Sequence, residues 1–152
     1  MNKKIFALLI ICIALVSVAT VCAVELKKTH DFDGKFKMNI TDGDNVKTLA
    51  DSLKDSKNGG NTYESKSAWT VNDKVAVFYY DNPMDKVVST LKSNSGFTNN
   101  PQNDKNLTIF TNPETNNYSF KYFVGVSSND KTVFVGCNDL NTAKDYANTI
   151  AF

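Results

Sequence analysis

The residue types that carry most acid–base and nucleophilic chemistry are scarce in this chain. His30 is the only histidine, and Cys137 is the only cysteine outside the apolar N-terminal segment. A catalytic triad needs a base oriented by an acid and a nucleophile on a strained turn, and no Gly-x-Ser-x-Gly motif or equivalent occurs. We therefore expect an exposed His30 and a buried, inert thiol at Cys137, with no catalytic residues.

Acidic residues lie beside glycine in two segments, Asp31–Gly34 and Asp42–Asn45. Alternating oxygen ligands of this kind occur in calcium loops, but neither segment completes the twelve-residue pattern with a terminal Glu. Asp next to Gly is also what turns and helix caps require, and this is the interpretation we adopt. The sequence therefore predicts neither a metal site nor a cofactor.

Aromatic side chains are the most promising candidates for binding. Because alternate side chains of a strand point to opposite faces, Tyr79 of one predicted strand, or the set Tyr118, Phe120 and Tyr122 of another, is expected to line the face that helices do not cover. A half-open aromatic face suits binding of a ligand or a partner, so these four residues are the predicted binding candidates. The alternative is that the rings form a core shared by the two faces of the sheet.

Three Asn-x-Ser/Thr sequons provide acceptors for N-glycosylation, at Asn39, Asn106 and Asn117. Such sites are used only in a domain that faces the outside of the cell. The sequence therefore predicts an exported glycoprotein with three candidate acceptors.

The charge of the chain argues against nucleic-acid binding. The chain has 152 residues and a formal net charge of +1, and all 17 basic residues are lysines. Arg supplies the planar bidentate fork favoured for phosphate and guanine recognition, and Arg is absent. With no basic run either, we expect no nucleic-acid partner.

The N-terminus has the pattern of an export signal. Lys3 and Lys4 precede the apolar segment 5–24, and Val21-Cys22-Ala23 predicts cleavage after Ala23. The competing interpretation is an uncleaved helix that anchors the chain through residues 5–24, which are long enough to cross a bilayer. In both cases the positive charges remain inside and the rest of the chain faces outward. A lipoprotein is not favoured, because Ala19-Thr20-Val21 before Cys22 is a poor lipobox.

Residues 24–152 have the length of one domain, and their patterning predicts its elements. Strands are expected at 36–40, 63–71, 75–80, 107–111, 118–126 and 132–137, and helices at 46–58, from 81–83 to about 96, and from Asp139 or Asn141 to Ile150. Residues 98–106 are predicted to be a polar loop. The fold class is therefore α+β, in the order β-α-β-β-α-β-β-β-α. We expect a two-layer sandwich of a largely antiparallel sheet with about three helices on one face, preceded by an N-terminal hydrophobic helix.

Two segments, Phe32–Ile40 and Asp139–Phe152, resemble those of small exported proteins of methanogenic archaea, as does the Arg-free composition rich in Lys and Asn. The resemblance implies a compartment rather than an activity. More remotely, the opening strand, central sheet and final helix look like the PsbP-like α/β sandwich, a non-enzymatic fold in its best-known members. The Pro-x-Gly-Trp usual in that family is replaced by Thr41-Asp42-Gly43-Asp44, and no functional residue carries over.

The function predicted from these features is a non-catalytic cell-envelope or surface domain that is secreted or anchored to the outer face of the membrane. Its partner is expected to be an envelope protein or a small ligand. The alternative is an exported hydrolase that uses carboxylates, because Asp and Glu are the only abundant acid–base groups.

Overall fold

The computed structural model describes residues 25–48, 67–72, 74–94, 100–112 and 120–152. These residues form nine strands and two helices. The strands are β1 Lys28–Phe32, β2 Phe36–Ile40, β3 Val46–Thr48, β4 Ser67–Val71, β5 Val75–Tyr80, β6 Gln102–Asp104, β7 Leu107–Thr111, β8 Tyr122–Ser128 and β9 Lys131–Cys137; the helices are α1 Met84–Asn94 and α2 Leu140–Ala147.

A separate antiparallel hairpin opens the fold, with Phe32 opposite Phe36 and Lys28 opposite Ile40. Its turn is Asp33-Gly34, with φ values of 55° and 70°, and the Lys35 N–H donates to the Phe32 carbonyl at 3.0 Å. Three residues therefore connect the strands, and Asp and Gly are residue types that tolerate the positive φ that the turn requires. The sequence predicted only β2 and a turn before it, so β1 is an addition to the predicted elements.

The remaining strands form one sheet of seven in the order β3-β4-β5-β9-β8-β7-β6, and every neighbouring pair is antiparallel. β4 and β5 pair as a hairpin, and β7, β8 and β9 form a meander. The coarse prediction of an α+β fold with a largely antiparallel sheet is therefore confirmed.

Each face of the seven-stranded sheet has its own apolar cluster. The hairpin face is covered by β1, β2 and α2, and its buried residues include Phe32, Phe36, Met38, Ile40, Trp69, Val77, Tyr79, Leu107, Val124, Val135, Ala143 and Tyr146. The aromatic face is covered by α1 and comprises Tyr80, Val87, Leu91, Phe110, Phe123 and Phe134, with Phe78, Met84, Val88 and Phe120 packed against them. Period-two alternation along β5 and β9 supplies both clusters.

The two helices lie on opposite faces of the sheet, so the expectation of helices on one face was wrong. The inner strands β5, β8 and β9 carry apolar side chains on both faces of the sheet, so each face has to be covered by other elements. Both helices begin where predicted: α1 follows Asn82-Pro83, and the Asp139 carboxylate caps α2 by accepting from the Thr142 N–H at 2.7 Å.

Two short strands lie where the sequence predicted the start of a helix and a polar loop. Val46 does not begin a helix; it belongs to β3 and pairs with Val71 of β4. Residues 102–104 are not a loop; they form the edge strand β6, in which Gln102 pairs with Ile109. Both strands are three residues long and carry little apolar pattern, so cross-strand hydrogen bonding decides their conformation.

Several predictions fall outside the described residues: the leader 1–23 with its hydrophobic helix, the helical positions 49–58, the strand residues 63–66, the end of α1 near Gly96, and Tyr118. Within the described ranges, no helix has the length and hydropathy needed to cross a membrane.

Candidate functional site

A groove of about 450 Å³ opens on the hairpin face, between the C-terminal end of α2 and the start of β7. It exists because α2 packs mainly on β8 and β9, while the β1–β2 hairpin packs its aromatic rings on Trp69 and Tyr79 at the other end of the sheet. The groove is lined by Asn106, Leu107, Val126, Ser127, Ala147, Asn148, Ile150 and Phe152.

The lining divides into an apolar floor and a polar rim. Leu107 and Ala147 are buried below the groove, whereas the side chains of Asn106, Ser127 and Asn148 are exposed. Phe152 adds an aromatic ring that is 41% exposed, the largest exposure of any bulky apolar residue in the described part of the chain. Polar atoms make up most of the accessible lining, so the groove is more polar than most small-molecule sites.

The polar side chains that line the groove are all neutral. They are two amides and one hydroxyl, which both donate and accept hydrogen bonds, and no ionisable side chain is among the eight lining residues. A charged ligand would therefore find no side chain of opposite charge in the lining. The groove is therefore suited to an uncharged ligand that carries hydrogen-bonding groups.

A salt bridge fixes α2 relative to the edge of the sheet that carries the groove. Lys144 Nζ on α2 lies 2.8 Å from Asp104 Oδ2 on β6. The hydrogen bond from Lys144 and its positive charge lower the pKa of the Asp104 carboxyl below its ordinary value. Asp104 immediately precedes the turn to β7 that contains Asn106, so the bridge helps to set the width of the groove.

A second polar cluster, which we call the Asp44 latch, joins distant parts of the hairpin face. The Asp44 carboxylate accepts from the Thr41 N–H at 2.7 Å, from Asn72 Nδ2 at 2.5 Å, from Tyr146 OH at 3.3 Å and from the Thr41 hydroxyl. These donors come from the loop after β2, the end of β4 and helix α2. The latch therefore holds α2 on the side of the sheet away from the groove.

The latch shifts the pKa values of its two ionisable members in opposite directions. Partial burial works against ionisation of Asp44, but the hydrogen bonds from Thr41, Asn72 and Tyr146 outweigh it, and the pKa of Asp44 falls below its ordinary value. Burial, and then the charge of Asp44 and the hydrogen bond to it, raise the pKa of Tyr146. An ionised Asp44 beside a neutral Tyr146 is thus the stable state at neutral pH.

Tyr79, the first predicted ligand-binding aromatic residue, lies in the core. It is only 2% exposed, its ring stacks on Phe36 with centroids 6.1 Å apart, and its hydroxyl donates to Asp81 at 2.5 Å. Burial, followed by this hydrogen bond and the charge of Asp81, raises the pKa of Tyr79 to about 12. Its contacts are those of a packed residue with a satisfied hydroxyl.

The structure does not bring the other predicted aromatic residues together. Phe120 packs against the aromatic face, with its ring centroid 6.5 Å from that of Phe123. Tyr122 alternates with Phe123 along β8, so it points to the hairpin face; it is half-buried, with Lys121 Nζ 5.4 Å from its ring centroid. Tyr118 lies outside the described residues. None of the three described residues lines the groove, and a binding role for Tyr122 stays a prediction.

The two described sequons differ in their surroundings. Asn39 lies in β2, where its Oδ1 accepts from the Thr29 hydroxyl at 2.9 Å and its N–H donates to the Thr149 hydroxyl at 3.0 Å. Asn106 lies in the exposed turn between β6 and β7, on the rim of the groove. Asn117 falls outside the described residues. Whether any of them carries a glycan stays a prediction.

The carboxylates of the two acidic segments accept local hydrogen bonds. In Asp31–Gly34, the Gly34 N–H donates to Asp31 Oδ1 at 2.6 Å within the turn. In Asp42–Asn45, Asp44 forms the latch described above. His30 packs edge-on against Phe32 with centroids 4.8 Å apart, and Cys137 is buried. In the described part of the chain, no group of three or more His, Cys, Asp or Glu side chains is arranged around a metal position.

Sequence reasoning missed the groove almost entirely. Asn106 was singled out only as a sequon, and Ser127, Asn148 and Phe152 attracted no attention. These residues come from the β6–β7 turn, β8 and the segment after α2, and nothing in their local patterns shows that they meet.

Comparison with known proteins identified no relative of this chain. No protein-family model matches the chain, and no curated protein or solved structure matches it.

Proposed function

We propose that this chain is an exported, non-catalytic domain that binds a small, uncharged ligand in the groove beside α2. The observation that supports the proposal best is the groove itself, whose volume of about 450 Å³ lies in the range of small-molecule sites. Its neutral rim and aromatic Phe152 favour a ligand with hydroxyl or amide groups and an apolar face.

The proposed location rests on the leader. A short basic segment, twenty apolar residues and a small-residue cleavage site at Ala23 are the features of an export signal, and the same residues uncleaved would anchor the domain outside. The resemblance to small exported archaeal proteins and to the PsbP-like sandwich, which is non-enzymatic in its best-known members, supports the same reading.

The groove also gives a reason to prefer binding over the alternative, hydrolysis by carboxylates. Glycosidases place two carboxylates on either side of the bond they cleave. Of the residues that line the groove, none is Asp or Glu. Asp44 is engaged by Thr41, Asn72 and Tyr146 in the latch. Binding without turnover is therefore the function that this geometry supports.

The test uses the full chain in detergent micelles and saturation-transfer NMR with a panel of neutral mono- and disaccharides and neutral aromatic amides. We expect at least one probe to receive saturation, because the groove offers both hydrogen-bonding groups and an aromatic ring. Asn148→Trp places a bulky ring in the groove and should abolish the signal. Asn141→Trp is the matched control, because this exposed asparagine lies near the other end of α2 and does not line the groove.

Two results would overturn the proposal. One is a panel in which no probe binds, or in which the two tryptophan variants behave alike. The other is the appearance of cleaved sugar or amide during prolonged incubation with the wild-type chain but not with Asn148→Trp, which would point to the hydrolase instead.

A further inference from the structure

We infer that Asn106 is the N-glycan acceptor among the two described sequons, that folding protects Asn39, and that a glycan on Asn106 closes the groove. The choice between Asn106 and Asn39 follows from their hydrogen bonds and positions in the sheet. The effect on the groove rests on the proposed function.

The Asn106 side chain is exposed at a turn of the folded chain. It occupies the two-residue turn in which Asp104 pairs with Leu107, and Lys105 before it takes a positive φ of 56°. Its side chain is exposed, and no hydrogen-bond partner for its amide lies within the described residues. The strand that precedes the turn, β6, is a three-residue edge strand with every side chain exposed. The other two residues of the sequon lie in β7, where Leu107 is buried and Thr108 pairs with Asn103 and Gly125, so entry into an active site requires local opening of β6 and of the start of β7.

Asn39 is held from both sides. On one side β2 pairs with β1, and Asn39 lies opposite Thr29, whose hydroxyl donates to its side chain. On the other side the chain after α2 pairs with β2: Lys37 and Ala151 exchange two backbone hydrogen bonds at 2.7 and 2.9 Å. The hydroxyl-bearing residue of this sequon, Thr41, is engaged by Asp44 through both its N–H and its hydroxyl.

The transfer itself is a substitution at the anomeric carbon of a lipid-linked oligosaccharide phosphate. The Asn106 Nδ2 forms a C–N bond to the sugar, while the C–O bond to the phosphate breaks. The lipid phosphate leaves with the electron pair, and the amide loses one proton to a base of the transferase. No oxidant or reductant is required, and the reaction needs only a free Asn amide in an accessible Asn-x-Thr segment.

A glycan at Asn106 would lie over the ligand site, because the same side chain forms part of the groove rim with Ser127 and Asn148. The exposed ring of Phe152, on the opposite part of the lining, gives the proximal sugar an apolar surface to cover. Modification and ligand binding should therefore exclude each other. Glycans are bulky and well solvated, which makes such steric closure effective.

The site choice is tested on the folded full chain, incubated with a purified oligosaccharyltransferase and its lipid-linked oligosaccharide. Two synthetic peptides serve as unfolded controls, one covering residues 36–43 and the other residues 103–110. We expect both peptides to be modified and the folded chain to carry a glycan at Asn106 and not at Asn39, as read from peptide mass spectrometry. A folded chain modified equally at both sites, or unmodified at Asn106, would overturn the inference.

Variants then separate the glycan from the asparagine. Asn106→Gln and Thr108→Ala should both lose the glycan, but only Thr108→Ala keeps the Asn106 side chain in the groove; Asn39→Gln should leave the glycan at Asn106 in place. In the NMR assay, we expect glycosylated wild type to lose at least about tenfold in probe affinity and unmodified Thr108→Ala to retain it.

The two proposals fail differently. Unchanged affinity after glycosylation at Asn106 would overturn closure of the groove. If Asn106 is glycosylated but no form of the chain binds any probe, the proposed function fails while the acceptor assignment stands.

Discussion

The two faces of the sheet are built in different ways. Among the described residues, the aromatic face is covered by α1 and consists largely of rings: Phe134 lies between Tyr80 and Phe110, at centroid distances of 6.3 and 5.9 Å. The hairpin face is covered by two segments from opposite ends of the described chain, β1–β2 and α2, and these are tied to each other and to the sheet by hydrogen bonds.

The difference shows where this fold leaves room for function. On the aromatic face, large flat side chains pack against α1, and the described residues Tyr80 and Val87 border a cavity of about 10 Å³, too small for a ligand. On the hairpin face, the covering segments meet the sheet at separate places and leave the groove between α2 and β7. We infer that the aromatic face supplies stability, while the hairpin face supplies the binding surface.

The largest effect that would test this division is expected from Phe134→Ala. The side chain is 1% exposed and central to the aromatic face, so its loss should lower the free energy of unfolding by about 3–5 kcal/mol. Phe152→Ala is the matched control on the hairpin face. Because its ring is 41% exposed, we expect a change below about 0.5 kcal/mol together with weaker probe binding in the groove.

Urea denaturation of the full chain, followed by fluorescence of Trp69, measures both variants. Trp69 is buried on the hairpin face, so it also reports whether losing a ring on one face loosens the other. Equal destabilisation by the two substitutions would contradict the division of roles between the faces.

A smaller loss is expected from Gly125→Ala, which tests how tightly the aromatic face is packed. A Cβ at Gly125 would lie 2.5 Å from Phe134 Cε1, closer than carbon atoms can approach. We expect a cost of about 1–3 kcal/mol from the displaced ring. The combination with Phe134→Leu should cost less than the sum of the two single changes, because leucine withdraws the ring atoms that the new methyl group meets.

Equilibrium unfolding of the four proteins in this cycle gives the coupling energy directly. If the two substitutions were strictly additive, the ring at position 134 would not be the reason why position 125 is glycine.

Much of the framework was predictable from local pattern. Alternation along β2, β5, β7 and β9 identified those strands, Asn82-Pro83 marked the start of α1, and Asp139 marked that of α2. Each of these signals depends on residues within one turn or one strand. The Asp33-Gly34 pair was an equally local signal for the β1–β2 hairpin, and it was passed over because β1 carries mainly polar side chains.

The rest was not local. The sequence shows that β5 and β9 are apolar on both sides, but not which helix covers which face, because this depends on where the chain crosses after β5. The short strands β3 and β6 form only because β4 and β7 offer them hydrogen-bonding edges. The groove and the Asp44 latch join residues from three separate parts of the chain each, so composition and motif could not reveal them.

The smallest of the three effects is expected from Asp44→Asn, which removes hydrogen bonds of the Asp44 latch on the hairpin face. An amide offers one acceptor oxygen in place of two, so it cannot accept from both groups of Thr41 and from Asn72 and Tyr146. We expect a loss of about 1–2 kcal/mol at neutral pH. Asp42→Asn, in the same loop but with an exposed side chain, is the control and should change stability by less than about 0.5 kcal/mol.

The pH dependence of this variant separates the charge of Asp44 from its shape. The pKa of Asp44 in the folded chain lies below its ordinary value, so its stabilising effect is fully present above that ordinary value and is lost as the pH falls through the folded-state pKa. The stability difference between wild type and Asp44→Asn should therefore be constant from pH 7 down to about 5 and should narrow below about pH 4. A difference that stayed constant to pH 2.5 would mean that the hydrogen bonds do not depend on the carboxylate charge, and that the latch holds α2 by packing alone.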